Sequence, residues 1–226
     1  MKAYRRHDML EISLEGRARI FYDLVAQKTD MPIDIVKTTV LTRYVKSFIP
    51  GIVRRGDVNS YGEVNIGFVH PSRQSGNRNR IASVVRDDEI LGTISPYILL
   101  HCDYEVVNKC MAALKAVALL EEAQKGHVGV VGSAALEIVT GCSYTDDNSD
   151  LDILLQDQNL NQIIETYTNL LQIGQEYKIK IDAEIQLKNG YGIKATELFI
   201  GSQTLLGKSL FDVTLLERKD IIKILN

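Results

Sequence analysis

The chain of 226 residues predicts an α/β (α+β) protein with two parts. A smaller N-terminal α+β domain covers residues 1–95, and residues 96–226 form a mixed sheet with helices. Three observations predict this. The C-terminal half alternates short apolar runs with segments of helical periodicity, as strand and helix units do. The N-terminal half places two helix-like segments before three strand-like ones. Ile94-Ser95-Pro96 interrupts both patterns, and a proline disfavours helix at the residue before it.

Taken in order, Glu15–Lys28 is a short amphipathic helix candidate. Residues 33–49 repeat the pattern, with Ile33, Val36, Val40, Leu41, Tyr44, Val45 and Phe48 on one stripe until Pro50-Gly51 stops it. Strand candidates follow at 51–54, 63–69 and 80–86. Between the last two, HPSRQSGNRNR (His70 to Arg80) reads as a polar, positively charged loop. Residues 104–124 have the strongest helical signal, with Val106, Val107, Cys110, Met111, Leu114, Val117 and Ala118 on one face. Then come a strand at 127–131, a helix at 134–140, a strand at 151–155, a helix at 160–173 and a long strand at 177–187. Asn189-Gly190 is a hairpin signal. A return strand at 192–195, a helix from Thr196 and an edge strand at 213–216 complete the half.

Composition narrows the function classes. With 45% hydrophobic and 24% charged residues the chain can bury an ordinary core. A net charge of −3 argues against a duplex nucleic-acid binder, so no nucleic-acid partner is expected. Cys102, Cys110 and Cys142 have no metal-ligand spacing and read as free thiols. The segment MKAYRRHDML is too polar for a signal peptide. No apolar run approaches the ~18 residues of a membrane span. A soluble cytoplasmic protein is the expectation.

The chemistry concentrates in Val130–Leu155, VVGSAALEIVTGCSYTDDNSDLDILL. On a strand, residues i and i+2 face the same side, so Asp150 and Asp152 point together while Leu151 and Ile153 point away. Two adjacent carboxylates repel unless a cation lies between them. Hard oxygen ligands suit Mg²⁺, which also takes substrate phosphate. The alternative is an ordinary solvated strand end. Ile181-Asp182-Ala183-Glu184-Ile185 repeats the alternation on another strand candidate. If the two strands are neighbours, three carboxylates can converge on two ions about 3.5–4 Å apart. Asp182 is the preferred third ligand and Glu184 the alternative. Asp146 and Asp147, in the turn-like loop, read as solvated. Gly132-Ser133 sits between a strand and a helix, where glycine admits close approach and the helix start and the hydroxyl can hold phosphate oxygens. The pair also begins many ordinary helices.

The order strand, Gly-Ser, helix, Asp-x-Asp, later acid resembles the DNA polymerase β-type nucleotidyltransferase superfamily. Within it, RRHDML, GIVRR, VVGSAALEIVTG, SDLDILL, IDAEIQLKNGYGIKATEL and LLGKSL look like the phosphoribosyl-dephospho-CoA transferase of malonate decarboxylase, its holo-acyl-carrier-protein synthase. That resemblance implies a nucleotidyltransferase catalytic domain in residues 96–226. The implied donor is 2'-(5''-triphosphoribosyl)-3'-dephospho-CoA, and the implied acceptor is a serine of the acyl-carrier protein subunit of malonate decarboxylase. Pyrophosphate is the leaving group. It implies Mg²⁺, as a two-ion site, on Asp150, Asp152 and Asp182, with Gly132 and Ser133 on the β/γ phosphates and Asp182 or Glu184 helping to remove the serine proton. Lys208, in Leu206-Gly207-Lys208-Ser209, is either a phosphate clamp or a surface lysine in a turn. Arg73, Arg78 and Arg80 bind donor phosphates or an acidic carrier, or are simply solvated. Another nucleotidyltransferase acting with an ordinary nucleoside triphosphate would use the same triad. His7-Asp8 matches the resemblance without a derivable chemical role.

Overall fold

A computed structural model describes residues 4–56, 61–74 and 76–226. The strands and helices are, in chain order, β1 (Met9–Ile12), α1 (Leu14–Ala26), α2 (Ile33–Leu41), β2 (Gly51–Val53), β3 (Glu63–Gln74), β4 (Asn77–Arg86), β5 (Ile90–Ile94), α3 (Lys109–Val117), α4 (Glu121–Gln124), β6 (Val128–Val131), α5 (Gly132–Thr140), β7 (Leu151–Leu155), α6 (Leu160–Tyr177), β8 (Ile181–Gln186), β9 (Gly192–Lys194), α7 (Ala195–Ile200), β10 (Thr204–Lys208), β11 (Val213–Glu217) and α8 (Arg218–Leu225). They form two compact units. One holds the residues up to Ser95 together with Val139–Tyr144, and the other holds Pro96–Ile138 and Thr145–Asn226. No helix among the described residues is long and apolar enough to cross a membrane.

The first unit is an antiparallel sheet of order β4-β3-β2-β1-β5, with α1 and α2 packed on it. Ile20, Leu24, Val36, Val40, Ile66 and Phe68 are buried between these layers. Arg17 is buried with them at 1% exposure. Its guanidinium donates to the carbonyls of Ile12 (3.2 Å), Val40 (2.8 Å) and Ile49 (2.9 Å). It also lies 4.6 Å from the centre of the Phe48 ring. Burial pulls its pKa down to about 10. This cation explains why α2 ends at Leu41 although the apolar stripe continues to Phe48. The Val40 carbonyl turns to Arg17, Thr42 is extended at φ −88° and ψ 130°, and Arg43 pairs with Phe48 as an isolated bridge.

The polar segment His70–Arg80 is not a loop. It forms the outer arms of the β3–β4 hairpin, with Arg73 opposite Arg78 and a register shift between Val69 and Arg73; Ser75 lies outside the described residues. Alternation of apolar and polar residues marks a strand only where one face is buried, and these arms have little core to report. Asp8 is buried and accepts from the Arg5 amide at 2.8 Å. The His7 amide donates to the Val53 carbonyl, so His7-Asp8 closes a turn against β2.

The second unit is a sheet of order β11-β10-β9-β8-β7-β6. It is antiparallel throughout except for the parallel pair β7–β8, which α6 connects. Leu151, Ile153, Ile181, Ala183 and Ile185 are buried on one face of this pair. Gly174 of α6 approaches Ile181 there. An Asn159–Gln162 capping box starts α6, and Lys178 in the left-handed region ends it, so the expected strand start at Tyr177 is helix instead. Helix 104–124 is also shorter than its periodicity suggests. Asn108 caps Met111 at 3.0 Å, which starts α3 at Lys109 and leaves Val106 and Val107 exposed outside it.

Arg17→Met tests the first unit. It keeps an apolar stem but leaves three buried carbonyls without their charged donor, which costs about 3 kcal/mol. Urea denaturation followed by far-UV circular dichroism is expected to show a clearly lower midpoint, and an unchanged midpoint would refute the role given to Arg17.

Candidate active site

The parallel pairing of β7 and β8 is in register, with Asp152 beside Asp182 and Leu154 beside Glu184. Paired residues share a face and so do residues two apart. Asp152, Asp182 and Glu184 therefore stand on one face, opposite the one that packs on α6. Burial agrees, alternating buried and half-buried from Ile181 to Gln186. Asp150 precedes β7 and is exposed.

The acids meet lysines. The Lys180 ammonium lies 3.0 Å from Asp150 Oδ2 and 2.7 Å from Asp182 Oδ2, and Lys194 Nζ lies 3.9 Å from Asp182 Oδ2. The two carboxylates raise the Lys180 pKa, Asp182 contributing most. Lys194 is also the cross-strand partner of Glu184, whose Oε1 accepts from Gln186 Nε2 at 2.6 Å. Among the described residues no group of three or more His, Cys, Asp or Glu side chains is gathered closely enough to hold a metal ion. The place between Asp150 and Asp182 is instead taken by an ammonium group.

Gly132 and Ser133 reach the same spot by another route. The antiparallel β6–β7 pairing sets Val131 beside Asp152. Gly132, at φ +67°, begins α5 directly afterwards, and a Cβ on it would collide with Asp152 Oδ2. Only glycine tolerates both that conformation and that proximity. Ser133 is half-buried in the first turn. Gly192 does the same for Glu184, since a Cβ there would run into Glu184 Oε1. Gly192 pairs with Gln186 on one side and Lys208 on the other. Lys208 is thus a strand residue of β10, on the same sheet face as the acids, two strands from Glu184. It is not in a turn.

Arg73, Arg78 and Arg80 belong to the first unit. Arg78 donates to the Tyr144 carbonyl and lies 5.2 Å from the centre of the Tyr144 ring. Arg73 and Arg80 are exposed on the hairpin.

Several side chains that shape the loop before Asp150 carry no motif. Asn108 Nδ2 donates to Thr145 Oγ1 at 2.8 Å, while Glu137 of α5 accepts from the Thr145 amide at 2.6 Å and its hydroxyl at 2.7 Å. The Lys109 amide donates to Asp147 Oδ1 at 3.0 Å. Asp146 Oδ1 accepts from the Asn148 amide and the Ser149 hydroxyl. Asp146 and Asp147 are exposed, yet both hold the loop in shape. The loop before Asp150 is therefore pinned by α3 and α5. An Asn at the start of a helix signals a cap, but nothing in the sequence says that its amide also reaches Thr145. Cys110, buried below, has its thiol pKa pushed up to about 12 by burial, then by the charges of Glu137, Asp152, Asp146 and Asp150.

Comparison with known proteins gives consistent matches. The phosphoribosyl-dephospho-CoA transferase MdcG C-terminal domain matches residues 99–219 and the MdcG N-terminal domain matches residues 5–96. A curated phosphoribosyl-dephospho-CoA transferase of Bradyrhizobium diazoefficiens is 26% identical over 218 residues, 96% of this chain and 92% of its own. A protein of that name from Xanthomonas axonopodis pv. citri is 27% identical over 179 residues, 79% of this chain and 83% of its own. No solved structure matches.

Two outcomes are expected from this geometry. Gly132→Ala strains a left-handed position and displaces the Asp152 carboxylate. It should lower stability by about 1–2 kcal/mol and remove most transferase activity; wild-type turnover would contradict the Gly132–Asp152 contact. For Cys110, a folded pKa raised above the unfolded one stabilises the fold below the unfolded value, near 9. That contribution is lost as pH rises from there toward about 12. At pH 8, iodoacetamide should label exposed Cys102 in the native protein and reach Cys110 only after denaturation, as read by peptide mass spectrometry. Rapid native labelling of Cys110 would contradict its burial.

Proposed function

Because the chain belongs to the phosphoribosyl-dephospho-CoA transferase family, we propose that it moves the phosphoribosyl-dephospho-CoA group from 2'-(5''-triphosphoribosyl)-3'-dephospho-CoA to a serine of the acyl-carrier subunit of malonate decarboxylase. The enzyme is a transferase. The observation that carries the reading is the in-register pair Asp152–Asp182 with Gly132 against Asp152.

Carboxylate oxygens are the hard ligands that Mg²⁺ takes, though among the described residues no three of these side chains are gathered closely enough to hold the ion. The oxygens are hard carboxylate ligands on one face, and the pair Asp150–Asp182 already draws a cation, the Lys180 ammonium. A metal on Asp150, Asp152 and Asp182 would need these side chains to close on it in place of the Lys180 ammonium. When bound, it supplies charge compensation for the triphosphate and acidity to an incoming hydroxyl.

The chain's own groups do the rest. The α5 amino end and the Ser133 hydroxyl bind the β/γ phosphate oxygens. Lys208, on the same sheet face, offers an ammonium for a phosphate. The serine Oγ attacks the α-phosphorus in line, its bond to the bridging oxygen breaks, and pyrophosphate leaves. The serine proton passes to a carboxylate. Glu184 fits this part, since Gln186 orients its Oε1. Positioning dominates such a transfer, because the phosphoryl group needs alignment and charge compensation more than covalent help. Arg73 and Arg80 offer an exposed guanidinium surface suited to an acidic carrier.

Asp152→Asn and Asp182→Asn are each expected to reduce transfer at least about a thousandfold while preserving the fold, the scale seen when an electrostatic element is removed. The assay is intact-mass analysis of apo-carrier incubated with enzyme, Mg²⁺ and the triphosphoribosyl donor. A prosthetic-group mass on one carrier serine supports the reading. No adduct, with efficient use of ATP on another acceptor, rejects it in favour of an ordinary nucleotidyltransferase. Near-normal rates in either variant reject the carboxylate assignment.

A further inference from the structure

The two ends of the second sheet are finished differently. β6, at one end, is closed off: the Val130 amide donates outward to the Pro96 carbonyl at 3.1 Å, and Gly129 lies against the Tyr97 ring. The edge strand β4 of the first unit is guarded too, its Val84 carbonyl accepting from Arg19 Nη2 at 3.0 Å. β11, at the other end of the second sheet, pairs with β10 alone among the described residues. Two backbone bonds bracket that pairing and set its phase, from the Ser209 amide to the Asp212 carbonyl (2.9 Å) and from the Arg218 amide to the Gln203 carbonyl (2.8 Å). In an antiparallel pair, hydrogen-bonded and non-hydrogen-bonded positions alternate. Thr214 and Leu216 therefore direct their backbone groups to β10, while Val213, Leu215 and Glu217 direct theirs to the edge. Val213 pairs with Lys208 and Leu215 with Leu206, so these side chains share the face that carries the acids. That face is wet, yet it turns apolar at this edge: Leu215 is 67% exposed, Val213 41% and Leu206 37%. An exposed apolar edge strand is a template for pairing with another chain.

We propose that β11 pairs antiparallel with β11 of a second copy of this chain, about a two-fold axis at Leu215, and joins two six-stranded sheets into one. The outward backbone groups dictate this register. Each Leu215 exchanges both backbone bonds with the partner's Leu215, and Val213 and Glu217 exchange theirs with the partner's Glu217 and the partner's Val213. Centring on Leu215, the middle of the three, satisfies all of them at once. The side chains agree with the backbone. Leu206, Leu215, the partner's Leu215 and the partner's Leu206 fall in one row across the interface, and apolar cross-strand neighbours stabilise a pair of strands. In the rows on either side, Glu217 of one copy lines up with Val213 and Lys208 of the other. The edge thus has an apolar middle, an acid at one end and a base near the other, and the same strand running backwards is its complement. That self-complementarity selects a second copy as the occupant. Directly paired residues share a face, so both acid faces open to the same side of the joined sheet. No carboxylate of the candidate site takes part in the pairing.

The test is sedimentation equilibrium of the full chain over a range of concentrations. The wild-type protein is expected to approach twice 25.3 kDa. Leu215→Lys sets two ammonium groups against each other at the axis, and Leu215 makes no ladder bond to β10. This variant should keep the wild-type circular dichroism and weaken self-association at least about tenfold. Leu215→Cys, oxidised in air, should give a covalent dimer linked at position 215 of both chains, as read by peptide mass spectrometry. Directly opposed residues of a hydrogen-bonded pair have Cα atoms about 5.5 Å apart, within reach of a disulfide. A wild-type chain that stays monomeric at every concentration overturns the proposal, as does a dimer that Leu215→Lys leaves intact or the absence of a link at position 215. A monomer in which apo-carrier slows hydrogen exchange of β11 also overturns it and gives the edge to that protein. Transfer by the carboxylates is tested separately by Asp152→Asn and Asp182→Asn, so failure of the pairing leaves that reading standing.

Discussion

The parallel, in-register pairing of β7 with β8 is the constraint on which the candidate site depends. It puts Asp152 beside Asp182 on the open face of a sheet whose other face is packed with Leu151, Ile153, Ile181 and Ile185. The pairing cannot slip by one residue. Such a slip would drive the carboxylates into the core and turn the buried aliphatics to water. The apolar face thus specifies the acidic one. Burial fixes the register, and the register gathers charges that would separate if left to themselves. The lysines are the other half of this balance. Lys180 and Lys194 flank Asp182, so the second unit compensates like charge with side chains from the residue before β8 and from the neighbouring β9.

Polar contacts then refine what burial leaves free. The Asp150 approach is set by Thr145 held between Asn108 and Glu137, and by Asp147 on the Lys109 amide at the amino end of α3. The bonds to Glu137 and Asp147 end on carboxylates, and such charge-assisted bonds are stronger than neutral ones. The first unit uses the same device in reverse. There a buried cation, Arg17, gathers carbonyls from three segments, which no apolar residue could do.

Much of the second unit was legible because its signals are local. β7 begins and ends where the LDILL run does, and the Asp/Glu alternation at 181–185 is the half-buried pattern of a strand with one wet face. Gly132-Ser133 was visible as a strand-to-helix junction. What was not visible is long-range or depends on one atom. The end of α2 follows from Arg17 binding Val40, 23 residues away in sequence. The outer hairpin arms carry polar residues on both faces, so periodicity has nothing to detect, and Arg73, Arg78 and Arg80 read as loop. β1, β5 and β10 were not read as strands. With β10 went the placement of Lys208 on a strand. The ion pairs of Lys180 were invisible because a lysine before a strand looks like any solvated charge until the neighbouring strand brings Asp150 to it.

The position of the site along the sheet follows from a mixture of strand directions. In wholly parallel sheets, ligands gather at the carboxyl ends of strands, where helix amino ends also lie. Here Asp152 and Asp182 are each the second residue of their strand, at the amino ends of β7 and β8. A helix start can reach them only from a neighbour that runs the opposite way. β6 is that neighbour, since its antiparallel pairing brings Val131, its last residue, beside Asp152. Gly132 then turns the chain into α5 at the carboxylate. An acid pair at strand starts, on this fold, requires an antiparallel strand, a glycine and a helix in that order. The sequence Val-Val-Gly-Ser is that requirement written in residues, and any side chain at position 132 would occupy the space that the Asp152 carboxylate holds.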